Sequence, residues 1–196
     1  REGPAAGVRW LHAADLNHSY WRGTYETEFH NWLARQLRPR DVFFDIGAHV
    51  GYSSLVASRA VGPFGKVLSV KALPHNAART REHIFNNGMA HARCICVAVG
   101  ESDGLAEFTV PYDDTTGTLM SSQGRFDHVR GDGADVRRAD RILVSVATID
   151  SLVERTSWMP TLVKLDVEGA EVVALEGARR LLTSHPRPVL FIEFHG

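Results

Sequence analysis

A short apolar run, a tight turn of small residues and an amphipathic stretch follow one another repeatedly along this chain. That alternation constrains the fold more than any other feature. DVFFDIG leads into YSSLVASRAV, KVLSV into HNAARTREHIFNN, and TLVKLDV into a helical stretch from about Gly169 to Leu182; ARCICVAV and PVLFIEF supply further apolar runs. Runs of this length suit strands buried on both faces, and strands alternating with helices predict a doubly wound, mostly parallel α/β sheet. The 196 residues, 44% of them hydrophobic, are enough for one well-buried core and leave little for a second. A single domain over residues 1–196 is expected.

Two segments depart from the alternation. Residues 1–38 read as a helical lead-in, because Phe29, Trp32, Leu33 and Leu37 form an amphipathic stripe before Pro39 ends it. Residues 106–145 read as an insertion: AEFTVP suits a strand, and the polar, glycine-dotted stretch after it suits an excursion loop with a mixed-charge surface. ILVSVATIDSLVER then resumes with a strand and a short helix capped by Thr148 or Asp150.

A net charge of -1 gives no electrostatic reason to expect nucleic acid or a membrane surface as partner, so a small molecule is expected. The longest apolar runs fall well short of the roughly 20 residues that a bilayer span needs. Cys94 and Cys96, two apart in a strand-like run, project in parallel and suit a disulfide poorly, which points to a reducing, cytoplasmic compartment. Neither an HExxH pair nor a zinc-like Cys/His spacing occurs, and no metal is expected. The start at Arg1 and the stop just after PVLFIEF suggest part of a larger polypeptide or a homo-oligomer, with the last strands of the sheet outside this stretch.

The run from Gly47 to Gly51 (GAHVG) joins a strand end to a helix start, where backbone approaches a ligand closely and helix N–H groups point toward it. It lacks the G-x-G-x-x-G spacing of dinucleotide binders. Asp45, just before the glycines, favours a cationic ligand over a pyrophosphate, and a sulfonium such as that of S-adenosylmethionine meets the requirement. A structural tight turn would give the same letters. About 20 residues beyond such a loop, nucleoside-binding folds usually place an Asp or Glu that accepts from ribose hydroxyls. Here Lys71 stands at that place, and a lysine cannot accept.

In TLVKLDVEG, Lys164, Asp166 and Glu168 recur at every second residue and would share one side of an extended strand. Two readings follow. They form an internal ion pair, Lys164 with Asp166 or with Glu193, or they open into a cleft together with Glu193 and His195 of FIEFH.

DVFFDIGAHVGYSSLVA, VLSVKALPHNAAR, VATIDSL, TLVKLDVEGAEVVALEGA and VLFIEFH together resemble the FkbM family of S-adenosylmethionine-dependent methyltransferases, from about Tyr25 onward. The KLDVEGAE block is the most specific part. The resemblance implies a class I methyltransferase (Rossmann-like) fold and methyl transfer to a hydroxyl of a natural product or saccharide, so the expected partner is a small-molecule hydroxyl acceptor. It implies that Asp45, Gly47, Ala48, His49 and Gly51 form the methionine and ribose side of the cofactor pocket, that Ala98 and Val99 lie near adenine, and that Glu26 reaches the amino acid end. Family members generally carry Glu where Lys71 stands. In-line transfer needs alignment and removal of a proton. His195, mostly neutral at pH 7 and oriented by Glu193, is the first choice of base, with Asp166 or Glu168 as substitutes and Lys164 beside them. Thr115 to Met120 would line the acceptor pocket. The alternative is a non-catalytic binding or scaffold domain whose cofactor site Lys71 weakens.

Overall fold

The computed structural model describes residues 3–11, 18–110, 118–119 and 140–194. Its main sheet is built from β1 (Val42–Ile46), β2 (Lys66–Val70), β3 (Ala92–Ile95), β8 (Leu162–Leu165) and β9 (Val189–Ile192), in the order β3-β2-β1-β8-β9. All neighbours run parallel. The order reverses direction between β1 and β8, which is the switch point of a Rossmann-like sheet and the place where such folds bind ligands. The expected doubly wound α/β fold is therefore present.

Strand parity divides the core in two. Phe43, Val67, Ala92 and Leu162 point to one face, where they pack with Leu33 of α2 (Thr27–Gln36), Leu55 of α3 (Tyr52–Val61) and Ile84 of α4 (Pro74–Asn86). Phe44, Ile46, Leu68, Val70, Val163 and Leu165 point to the other. They meet Ile149 and Leu152 of α5 (Ile149–Thr156), Ala174 of α6 (Glu171–Glu176) and Leu181 of α7 (Arg179–Thr183). Burial on both faces explains the unbroken apolar runs. The lead-in stripe behaves as its spacing predicts: Leu33 and Leu37 are buried, and the rings of Phe29 and Trp32 lie 4.2 and 5.5 Å from that of Phe191 on β9. A short helix, α1 (His18–Arg22), precedes α2.

Three details differ from the sequence expectation. ARCICVAV is not one strand: β3 stops at Ile95, and β4 (Ala98–Val99) pairs instead with β7 (Asp140–Ala147) in a second sheet. That sheet, ordered β4-β7-β5-β6, contains β5 (Gly104–Val110) antiparallel to β7, with β6 (Thr118–Leu119) at its edge. The insertion is thus a sheet of its own, while most of the proposed excursion loop lies outside the described residues. The third difference is that the helix after KLDVEG is two short helices. Gly177 stands at the break, where a Cβ would lie 2.1 Å from the carbonyl oxygen of Gly100 and only glycine fits.

Candidate functional site

A cleft opens at the C-terminal ends of β1, β2 and β8, at the switch point. Its lining comes from Gly47 after β1, Lys71 and Ala72 after β2, Val97, Ala98 and Val99 beside β4, Phe108 of β5, and Asp166 to Glu168 with Ala170 after β8. Of the residues singled out in the sequence, Gly47, Lys71, Ala98, Val99, Asp166 and Glu168 are brought together here. Phe108 was not foreseen. It sits on the inserted sheet, whose contact with the cleft has no signature in local sequence.

The loop that shapes the cleft is held from below. Asp45 is fully buried and accepts a hydrogen bond from Ser54 Oγ of α3 at 2.5 Å; Ser54 Oγ accepts in turn from Ser69 Oγ of β2 at 2.6 Å. Burial pushes the Asp45 carboxyl up from the ordinary range, with the Lys164 ammonium opposing it. Ser69, Asp45 and Lys164 pair across three adjacent strands and form a polar row inside the sheet. Lys164 donates to Asp166 Oδ2 at 2.6 Å. Burial disfavours its charge, and the Asp45 and Asp166 carboxylates outweigh that, holding its pKa above the usual lysine value. The ion-pair reading of this cluster is therefore correct for Lys164. Asp166 and Glu168 lie past the end of β8, so their alternation is not that of one strand face.

The second acidic segment is a tight turn. Glu168 is left-handed at φ 53° and Gly169 follows at φ 91°, while Glu171 Oε1 accepts from the backbone N–H of Gly169 at 3.0 Å. Glu171 is a buried carboxylate that the sequence reading missed. Its signal was an acid in the first turn of a helix, reaching back to unpaired N–H groups. The facing loop is also left-handed at Gly47, His49 and Gly51. Gly47 has no room for a side chain: a Cβ would lie 1.6 Å from Asp166 O. Its glycine serves close approach of protein backbone. The amides of Gly47 and Ala48 both donate to Val70 O at 3.0 Å, so they are committed within the fold.

The remaining described candidates are not part of the cleft lining. His49 accepts at Nδ1 from Tyr20 Oη at 3.2 Å, and burial lowers its pKa to about 4. Burial raises the Tyr20 hydroxyl to about 12. Glu26 is exposed in a left-handed conformation before α2. Glu193 is partly buried just after β9, its amide donating to Leu165 O at 3.0 Å. His195 lies outside the described residues, as does most of Thr115 to Met120.

The enclosed room is about 40 Å³, space for a few waters at about 10–15 Å³ each. Small-molecule sites usually exceed roughly 300 Å³. Lys71 and Phe108 are the bulky side chains in the lining; the other residues are small, aliphatic or acidic. Lys71 is 9% exposed, and burial lowers its pKa against the raising effects of Glu168 and Asp166. The walls suit S-adenosylmethionine in kind, with apolar Val97, Ala98, Val99 and Phe108 for a base and two carboxylates as acceptors. Its volume does not admit a nucleoside until a lining side chain moves. A wider groove of about 900 Å³ between α4 and β3, lined by Arg81, Phe85, Met89 and Cys94 among others, contains none of the other candidate residues.

A protein-L-isoaspartate O-methyltransferase from Ignicoccus hospitalis is 31% identical over 80 residues, 41% of this chain and 36% of the relative. The chain thus spans about a third of the length of that curated relative. Among solved structures, a protein-L-isoaspartate O-methyltransferase matches with a TM-score of 0.34 and 24% identity over 39% of this chain and 23% of the other. A precorrin-6y C5,15-methyltransferase from Geobacter metallireducens matches with a TM-score of 0.34 and 20% identity over 44% and 42%. The model of the methyltransferase FkbM domain matches residues 45–196, from the acid before the glycine loop through both acidic segments. The chain belongs to the methyltransferase FkbM domain family.

Proposed function

We propose that this domain transfers a methyl group from S-adenosylmethionine to a hydroxyl of a natural product or saccharide. The observation that carries the reading is the cleft at the switch point, which lies inside the family-matched segment and is bordered by the glycine loop and by two carboxylates. When bound, the cofactor supplies an activated methyl and a neutral thioether leaving group. The chain supplies the rest. Ala98, Val99 and Phe108 present an apolar wall suited to a purine, and Asp166 and Glu168 accept from hydroxyl or ammonium donors. A proton must leave the acceptor hydroxyl, and we assign that task to His195 with Glu193 beside it, or to Asp166 or Glu168 at the cleft. The cytoplasm is the proposed compartment, a reading supported by the free thiols of Cys94 and Cys96. Among the described residues no helix is long and apolar enough to cross a membrane.

Opening the cleft requires a bulky lining side chain, Lys71 or Phe108, to move, and the flexible four-carbon stem of Lys71 permits this. Calorimetric titration with S-adenosylmethionine is the direct test. Saturable heat is expected, and a lower Kd in Lys71→Glu. Absence of heat from both proteins overturns the cofactor assignment. Methyl transfer to a panel of hydroxylated sugars and polyketides then tests the acceptor class; no turnover with saturating cofactor and any acceptor favours the second reading, a domain that keeps the fold without catalysis. That reading is supported by one observation, the lysine filling a cleft of about 40 Å³.

A further inference from the structure

Between β8 and α6 the chain makes a turn that carries two of the carboxylates lining the cleft, Asp166 and Glu168. The first half of the turn is pinned from the sheet: the Asp166 amide donates to Ile46 O at 3.0 Å, and its carboxylate accepts from Lys164 Nζ at 2.6 Å. The second half is held by one side chain. Glu171 Oε1 accepts from Gly169 N at 3.0 Å and, over a longer 3.4 Å, from Val167 N. These are the amides on either side of Glu168, and amides that converge in this way form a small nest for an oxygen. Glu168 stands at φ 53°, a left-handed conformation that a non-glycine residue keeps only where its surroundings impose it. Glu171 is buried and lies outside the cleft lining.

We infer that Glu171 is a positioning residue: it fixes the left-handed backbone at Glu168 and so holds the Glu168 carboxylate at the cleft, where that carboxylate accepts from the ligand while Glu171 does not touch it. This rests on the cofactor assignment proposed above. The hydrogen bonds to the amides before and after Glu168 constrain the torsions on both sides of it. Released from them, the backbone at Glu168 relaxes toward negative φ and turns its side chain in a new direction. A hydrogen bond from ligand to carboxylate is then lost or misaligned, which weakens binding about tenfold or more. The sheet cannot make up for this, because its hold on the turn ends at Asp166.

The test is calorimetric titration of the whole chain with S-adenosylmethionine, for the native protein, Glu171→Gln, Glu171→Met and Glu171→Asp, with urea unfolding of each to report stability. Gln keeps an acceptor oxygen at the reach of Oε1, so its Kd is expected within about threefold of native. Met keeps the length without a strong acceptor, and Asp draws the carboxylate back by one bond, about 1.5 Å. Both are expected to raise Kd about tenfold, as is Glu168→Ala. In the Glu168→Ala background the Met and Asp substitutions are expected to change Kd by less than about twofold, because the carboxylate they misplace is gone. A purely structural role lowers the unfolding midpoint and leaves Kd as in the native protein, and that result overturns the inference. It is overturned equally by native affinity in Glu168→Ala, by a tenfold effect that persists undiminished in that background, or by loss of folding in both the Met and Asp variants. No saturable heat from the native chain is a different outcome: it overturns the cofactor assignment, and the inference falls with it.

Discussion

At Gly47 a Cβ would fall 1.6 Å from Asp166 O, and the residue sits at φ +88°. Two separate costs meet any substitution there, a steric one and a conformational one. Gly47→Ala is therefore expected to destabilise the fold by about 3 kcal/mol or more, strain and overpacking each contributing roughly 1–3 kcal/mol. Urea unfolding would show this as a lowered midpoint at constant slope, and an unchanged midpoint would mean that the turn after β8 yields freely. The glycine was legible from the sequence, and its neighbour was not, because Asp166 is distant along the chain and meets Gly47 only through the pairing of β1 with β8. Lys164 teaches a related lesson. Its alternation with Asp166 left an ion pair and a cleft-facing cluster both open, and the 2.6 Å contact between Lys164 and Asp166 shows the ion pair. Lys164→Met removes the ammonium beside Asp166 and the cationic neighbour of Asp45, so a loss of roughly 3–5 kcal/mol is expected, in the range for breaking a buried pair. A loss below about 1 kcal/mol would show that the two carboxyls are protonated or solvated without it.

Elements announced themselves wherever a local rule controlled them. Thr148, one of the two caps the sequence left open, caps α5, its hydroxyl accepting from Ser151 N at 2.9 Å. Thr148→Ala should cost about 1 kcal/mol and Thr148→Ser much less, readable as a midpoint shift in thermal unfolding; equal effects of the two would locate the role of Thr148 in its methyl group. Asp103, just before β5, reinforces the same helix start. It accepts from Thr148 N, Ser151 Oγ and Arg155 Nη2 at 2.8, 2.9 and 2.6 Å. These hydrogen bonds, that from Thr148 first, lower its carboxyl below the usual value. Its contribution is complete above the unfolded carboxylate pKa near 3.9 and fades as pH falls through the lower folded value. Nothing local joins Asp103 to Thr148, since the inserted sheet intervenes in sequence. The split of the third apolar run and the break at Gly177 were hidden for the same reason. Each is set by a partner from another part of the chain, β7 for Ala98 and the Gly100 carbonyl for Gly177, while apolar periodicity reports only that a segment is buried.

Across the whole molecule, the face that carries α2, α3 and α4 encloses histidines as neutral structural groups. His30 is fully buried, its Nδ1 donating to the carbonyls of Tyr25 and Glu26 at 3.1 and 3.0 Å while Nε2 accepts from Ser53 Oγ at 3.0 Å. His83, also buried, donates from Nδ1 to Val50 O at 2.8 Å and accepts at Nε2 from Leu11 N at 3.3 Å. His49 accepts from Tyr20. In each case a second ring proton would abolish an accepted hydrogen bond and place a charge in a poorly solvated site. Burial lowers the pKa of His30 and His49 to about 4, and that of His83 likewise falls below the ordinary value. The unfolded chain titrates these rings near 6.5, so between about pH 6.5 and 4 it binds more protons than the folded chain, and stability falls with falling pH. The contribution is complete above about pH 6.5. Each ring adds a slope approaching about 1.4 kcal/mol per pH unit well below 6.5, so His30 and His49 together approach about 2.8 kcal/mol per unit. Urea unfolding at half-unit steps from about pH 7.5 to 5 is expected to be level above about 7 and to steepen below about 6.5, before carboxylates begin to contribute. A stability that stays flat to about pH 5 would mean that the rings accept protons inside the folded protein, and the neutral hydrogen-bonded arrangement that ties α2, α3 and α4 together would have to be abandoned.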